Sequence, residues 1–337
     1  MEHVRWGIIG CGNVTEAKSG PAFRLARNSS LVHVMRRQGD LAKDYALRHG
    51  VPRYSDDAAE LIGDPEVDAV YIATPPGSHR EYALACARAG KICYVEKPMA
   101  RTFGECREML TAFDQAKVPL FVAYYRRALP RFLKLREIVD SGVLGAIRTV
   151  HAMQEQKPDP DDGDSERRAW RLRPEISGGG RFLDLASHTL DVLDFLFGPI
   201  DRVSGLAKNL GRLYGAEDYV AGTFRFASGA EGSGRWCFCA DENRELVEVV
   251  GERGLLRFSI FGNEDLELRL GSGTQFFGAA NPSPIQLPLI QTIVDELTGN
   301  GRCPSTGESA ARTSRIMDLF LEEFRRENKD NPESAFI

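Results

Sequence analysis

Two short, unbroken apolar runs set the frame for this chain: Ala69-Val70-Tyr71-Ile72-Ala73 and Ile92-Cys93-Tyr94-Val95. Runs without polar alternation read as strands buried on both faces, and parallel strands of that kind need a helix to cross between them. The intervening 80–89 supplies one. Both runs then stop in polar residues, Thr74-Pro75-Pro76-Gly77-Ser78-His79 and Glu96-Lys97-Pro98. Two prolines remove donors that a ladder needs, so the strand ends there. Open α/β sheets bind their ligands at the carboxyl ends of their strands. Lys97 is therefore expected where a nucleotide cofactor and a substrate meet, with Thr74, Pro75, His79 and Glu96 around the cofactor. His79 lies in the first turn of its helix, where it either touches the cofactor or merely caps.

The same alternation runs from the first residues to about 122. Val4-Arg5-Trp6-Gly7-Ile8-Ile9 leads directly into Gly10-Cys11-Gly12-Asn13-Val14-Thr15. Gly10 and Gly12 let the chain turn tightly and let a pyrophosphate approach the backbone at Asn13 and Val14, where a helix begins. Thr15 stands where a third small residue is usual, which is expected to hold the helix slightly off the strand. The next strand, 31–35, ends in Arg36-Arg37 instead of the acid that bonds a ribose 2′-hydroxyl. A guanidinium can hold a 2′-phosphate with two hydrogen bonds. NADP is the expected cofactor, with NAD, and Asp40 on the ribose, as the alternative. Helices are predicted over 40–50, 57–62 and 103–116, and a last strand over 120–123.

A chain of 337 residues exceeds what one core usually supports, so two domains are expected. The boundary falls at 123/124, where Tyr124-Tyr125-Arg126-Arg127 opens the second half. After a helix at 130–141 the pattern changes to strands near 147–156, 202–209, 218–227, 230–239, 244–251, 254–260 and 264–270. This predicts an α+β domain over 124–327 with a large, mostly antiparallel open sheet, one face covered by helices. Helices at 285–299 and 307–326 could pack on either domain, and the tail 328–337 reads as frayed. Lys157 to Arg168 has almost no apolar content and reads as a solvated loop, with a lid that gates the site as the alternative its position permits. Gly178-Gly179-Gly180 precedes a helix in which Asp184, His188 and Asp191 share one face at i, i+4 and i+7. A carboxylate one turn from an imidazole can fix its tautomer and raise its basicity.

A net charge of −5 leaves no basic footprint for nucleic acid. No apolar run approaches the ~18 residues of a membrane span, and a strand beginning at Val4 leaves no room for a signal peptide. Seven cysteines form no disulfide-like framework, which suits a reducing, cytoplasmic setting. Cys237 and Cys239 face the same way on a strand but lack the partners of a zinc site and read as core; no metal is expected.

On these motifs the chain resembles the glucose–fructose oxidoreductase / inositol dehydrogenase / MocA family. The matching residues are Gly10-Cys11-Gly12, Thr74-Pro75-Pro76 with His79, Glu96-Lys97-Pro98, Arg126-Arg127 with Pro130, Gly178-Gly179-Gly180, and Asp184 with His188, in the family's order over about 4–320. The resemblance implies an N-terminal Rossmann domain and a C-terminal open sheet. It implies hydride transfer between a nicotinamide and a hydroxyl or carbonyl carbon of a sugar, anhydrosugar, cyclitol or related polyol. In that reading Lys97 hydrogen-bonds the reacting oxygen, His188 exchanges the proton, and Asp184 orients His188 or the substrate. Glu96 and Pro98 hold Lys97, through a Lys97-Pro98 bond that can be cis. Arg126 and Trp170 are further substrate-pocket candidates. Arg36 and Trp170-Arg171-Leu172 resemble the NADP-preferring branches that reduce anhydrofructose or oxidise dihydrodiols. The alternative is a nicotinamide-dependent glycoside hydrolase, which consumes no net cofactor. A homodimer or homotetramer through the open sheet is expected.

Overall fold

The computed structural model describes residues 1–330, and the chain separates into two compact units. The first comprises 1–129 together with 281–311; the second comprises 130–280 and the chain from 312. The division read from sequence, with its boundary at 123/124, therefore differs at 124–129 and at 281–311. Leu287–Leu297 belongs to the first unit, where Gln286 bonds to Tyr94 and Ser305 to Val122 on its strands.

The first unit holds a six-stranded sheet: β1 Val4–Ile9, β2 Ser29–Met35, β3 Arg53–Ser55, β4 Ala69–Ile72, β5 Ile92–Val95 and β6 Leu120–Val122. All pairs are parallel, in the order β3-β2-β1-β4-β5-β6. This is the doubly wound dinucleotide-binding order. Every residue of β4 and β5 is buried, as their unbroken apolar runs require. Three differences from the sequence reading stand out. The short strand β3 was not predicted, since Arg53-Tyr54-Ser55 has no apolar run. Leu287–Leu297 stacks in this unit. The helix after β1 is two pieces, Asn13–Ala17 and Gly20–Leu25.

The second unit carries eight strands: β7 Ile147–Glu155, β8 Ile200–Lys208, β9 Tyr219–Phe226, β10 Glu231–Cys237, β11 Arg244–Gly251, β12 Gly254–Phe258, β13 Leu266–Leu270 and β14 Gly273–Phe277. Their order is β14-β13-β12-β11-β7-β10-β9-β8, antiparallel except for β7 with β10. Buried and exposed residues alternate along β7 and β10, so one face is covered and the other open. On the covered face Phe182, Trp236 and Phe320 meet edge to face with centroids 5.2–5.9 Å apart. Gly205 and Gly222 make room there: a Cβ on either would stand 2.6–2.8 Å from the Phe320 ring. The open face bears His151, Met153, Thr223, Ser233, Arg235, Leu246 and Glu248.

Other sequence expectations change in this unit. The edge strand β14 was not predicted; it is almost wholly exposed, so burial left no pattern to read. Gly307–Asp330 is one helix, so 328–330, expected to be frayed, continue it. The rest of the expected tail lies outside the described residues. The acidic stretch near 157–168 is not merely solvated, because Asp162 is buried and ion-paired to Arg181 at 2.8 Å. Cys237 and Cys239 are half-buried, with sulfurs 3.8 Å apart, where the sequence suggested core. Among the described residues no helix is long and apolar enough to cross a membrane.

Candidate active site

In the first unit the polar candidates cluster at the carboxyl ends of β1, β2, β4 and β5. Gly10 has φ +91°, and a Cβ there would stand 2.7 Å from Thr74 Cγ2, so only glycine fits this crossing of two strand ends. A Cβ at Gly12 would meet nothing closer than the Gly10 carbonyl at 3.8 Å, leaving the loop backbone open to a ligand. Thr15 is fully buried, and its hydroxyl donates to the Gly12 carbonyl at 2.8 Å. It tightens the first turn from within, with Asn13 and Val14 opening that short helix. Arg36 Nη1 donates to the Cys11 carbonyl at 3.3 Å, so its guanidinium reaches over the loop, whereas Arg37 is exposed. This cradle, glycine-lined with a cation at the β2 end, fits a dinucleotide.

After β4, Ser78 donates to Thr74 Oγ1 at 2.8 Å and closes the Thr74-Pro75-Pro76 turn. His79 has no exposed surface. Its Nε2 lies 2.7 Å from the Thr74 carbonyl, and its Nδ1 lies 3.1 Å and 3.3 Å from those of Pro98 and Met99. Burial lowers its pKa, against the pull of those carbonyls and Glu96. Of the two roles weighed for this imidazole, the geometry gives it neither an open face nor a cap: it braces the turn after β4 against the turn carrying Lys97.

The Lys97-Pro98 bond is cis. Lys97 is half-buried, and its backbone N–H donates to Glu96 Oε2 at 3.1 Å. The buried Glu96 carboxylate also accepts from Tyr71 Oη at 2.5 Å and Gln286 Nε2 at 2.7 Å. Tyr71 and Tyr94 are register partners on β4 and β5 and stack with centroids 4.9 Å apart. Sequence reasoning missed both phenols and Gln286. A tyrosine at matching places in two buried strands was the available signal; nothing in the sequence points to Gln286. Arg126 is buried in the turn Tyr125–Ala128, its guanidinium 5.1 Å from the Tyr125 ring centroid.

In the second unit Asp184 and His188 are contiguous in one helical stretch, but Phe182–Ala186 is a π-turn leading into the α-helix Ser187–Phe197. A 3.6-residue projection does not foresee that wider turn, which recurs at functional sites. His188 and Asp191 are buried, and Phe261 meets the His188 ring edge to face at 5.6 Å. Asp184 pairs with Arg171 Nε at 3.0 Å, and that guanidinium stacks 4.5 Å from the Trp170 ring. Arg171, not singled out as a site residue from the sequence, thus ties Trp170 to Asp184. Beneath the glycine run, Glu217 accepts from the Gly180 N–H at 2.8 Å, and burial pushes its carboxyl up to about 7. A Cβ on Gly180 would stand 2.3 Å from the Glu217 carbonyl oxygen, which accounts for glycine there.

Comparisons with known proteins agree with the two folds. Residues 4–124 match the oxidoreductase family with an NAD-binding Rossmann fold, and 132–257 match the GFO/IDH/MocA C-terminal domain. Oxidoreductase P35 of Formosa agariphila is 37% identical over 317 residues, 94% of this chain and 98% of that protein. The 1,5-anhydro-D-fructose reductase of Ensifer adhaerens is 32% identical over 262 residues, 75% and 74% of the two chains. In fold, the chain superposes on levoglucosan dehydrogenase in complex with NADH and levoglucosan with a TM-score of 0.84, at 23% identity over 96% and 98% of the chains. A doubly wound sheet with a glycine cradle and these matches along both units make the chain a member of the GFO/IDH/MocA family of nicotinamide-dependent oxidoreductases.

Proposed function

We propose that the protein is an NADP-preferring dehydrogenase or reductase of a sugar, anhydrosugar or related polyol. The observation that carries this reading is the braced turn presenting Lys97 at the end of β5, beside the glycine cradle at the end of β1. Gly10, Gly12, Asn13 and Val14 receive the pyrophosphate, Arg36 and Arg37 the 2′-phosphate, and Thr74, Pro75 and Glu96 line the approach to the nicotinamide. A bound nicotinamide supplies or accepts the hydride. The Lys97 ammonium donates a hydrogen bond to the reacting oxygen and stabilises negative charge developing there. His188 exchanges the proton with that oxygen, as a positioned imidazole can. Asp184, Trp170 and Arg126 hold the sugar-like substrate. A relative named for 1,5-anhydro-D-fructose and a fold neighbour solved with levoglucosan support an anhydrosugar among its substrates. The open face of the eight-stranded sheet supports a homodimer or homotetramer, and seven free thiols support a cytoplasmic setting.

A panel of sugars, anhydrosugars and keto-sugars, assayed with both cofactors by nicotinamide absorbance, tests this reading. Lys97→Met is expected to lower kcat at least ~1,000-fold with cofactor affinity nearly intact. His188→Ala is expected to cost about 100-fold or more. Wild-type turnover in Lys97→Met, or no net cofactor consumption with any substrate, overturns it.

A further inference from the structure

We infer that Gln286 is a positioning residue for Lys97, acting through the Glu96 carboxylate; this rests on the role of Lys97 proposed above. Gln286 comes from the returning segment, 190 residues away in sequence, and is 1% exposed. Its backbone N–H donates to the Lys18 carbonyl at 3.1 Å, just past the helix Asn13–Ala17 that follows the glycine loop. Its side-chain oxygen accepts from Tyr94 Oη at 2.8 Å, and its amide nitrogen donates to Glu96 Oε1 at 2.7 Å. The amide orientation is therefore fixed by its partners: the Glu96 carboxylate, which only accepts, demands the N–H, and this leaves the amide oxygen to accept from the Tyr94 phenol.

The consequence falls on Glu96. Its Oε1 holds two donors, Tyr71 and Gln286, and this fixes the plane from which Oε2 accepts the Lys97 N–H. Burial and the neighbouring Glu96 charge hold both phenols well above their ordinary range, so they remain donors at any working pH. With Gln286 removed, a buried carboxylate loses one of the donors that replace its hydration. It recovers that loss only by turning. A turn of Glu96 moves the backbone from which the Lys97 ammonium is presented. Displacement of about 1 Å at a reacting group can cost on the order of 100-fold in rate. Gln286 also holds the chain at Lys18, at the end of the helix that follows the glycine loop, so that segment and the lysine turn share one residue.

The test compares Gln286→Met and Gln286→Glu, using the best substrate from the panel. Gln286→Met removes the donor at similar volume and is expected to lower kcat about 10- to 100-fold, with KM and cofactor affinity within about threefold. Gln286→Glu places a second carboxyl against Glu96, so the pair shares a proton at low pH and repels when both ionise. Its rate is expected to approach wild type at the acid end and to fall with rising pH, through a titration absent from wild type and from Gln286→Met. A merely structural Gln286 would move melting temperature without adding that titration. Wild-type kcat in folded Gln286→Met, or a uniform loss in Gln286→Glu at every pH, overturns the inference. Lys97→Met is run in parallel: if it is inactive while Gln286→Met is unimpaired, only the positioning role fails. If Lys97→Met turns over normally, the reading beneath it fails first.

Discussion

The two sheets solve burial in opposite ways, and the difference decides where each unit keeps its polar groups. β4 and β5 are buried on both faces, so no side chain along them can meet a ligand, and chemistry is confined to the strand ends. Thr74, Glu96 and Lys97 all stand within two residues of such an end. The eight-stranded sheet keeps one face open, and its candidates do not come from strand ends. They lie on a helix and a turn: Asp184 and His188 in the stretch 182–197, Trp170 and Arg171 in Trp170–Leu172. Position is thus set by topology in the first unit and by local helix geometry in the second.

The largest expected effect is a direct contrast of the two sheets. Val70 on β4 has no exposed surface, whereas Leu246 on β11 is 36% exposed. Val70→Asp leaves an unpaired charge in the core and is expected to cost more than ~4 kcal/mol, enough to prevent folding. Leu246→Asp is expected to change stability by no more than about 0.5 kcal/mol. Denaturant unfolding with tryptophan emission as the probe measures both. Comparable losses would mean the open face is not open in solution.

A second contrast concerns the two buried glutamates. Among the described residues Glu96 accepts three hydrogen bonds, two from side chains, while Glu217 accepts one, from the Gly180 N–H. Burial raises the Glu217 carboxyl from 4.5 to about 7, with Arg325 acting against the rise. Between those values the folded chain binds a proton that the unfolded chain does not. Stability therefore falls as pH rises through this window, and the full cost of the buried charge is present above it. Glu217→Gln keeps an acceptor for Gly180 without the charge. It is expected to match wild type near pH 4.5 and to exceed it by up to about 3 kcal/mol above pH 8, as an order of magnitude. Melting temperatures across pH 4.5–8.5 check the sign; a gap that narrows with pH contradicts it.

The sequence was most legible where one physical demand acted alone. Double-sided burial made β4 and β5 visible, and Phe103–Ala116 was bounded correctly. Legibility failed where two demands competed. β3 has too little burial to leave an apolar run, and β14 has almost none. The π-turn at Phe182–Ala186 departs from the 3.6-residue period, and no residue type announces it. Likewise the turn Glu96-Lys97-Pro98 is one contiguous stretch, whereas Gln286, Tyr71 and Arg171 bond to partners outside their own motifs, a pairing that only the fold sets.

The smallest expected effect tests whether the end of β2 obeys the same strand-end rule as β4 and β5. Arg36 follows directly on β2; its backbone N–H is held by the Ser55 carbonyl at 3.2 Å and its guanidinium by the Cys11 carbonyl. Only that one carbonyl contact is seen for the guanidinium among the described residues, so several of its N–H groups remain for a phosphate. Arg36→Asp replaces them with a charge that repels a 2′-phosphate yet can accept from a ribose 2′-hydroxyl. The KM ratio of NADP to NAD is expected to rise about tenfold or more, roughly 1.4 kcal/mol, with kcat little changed because Arg36 lies at the adenosine end. Steady-state titrations with both cofactors measure it. An unchanged ratio would move phosphate recognition to the exposed Arg37 or remove it from this chain, and β2 would then be a strand whose end carries no specificity.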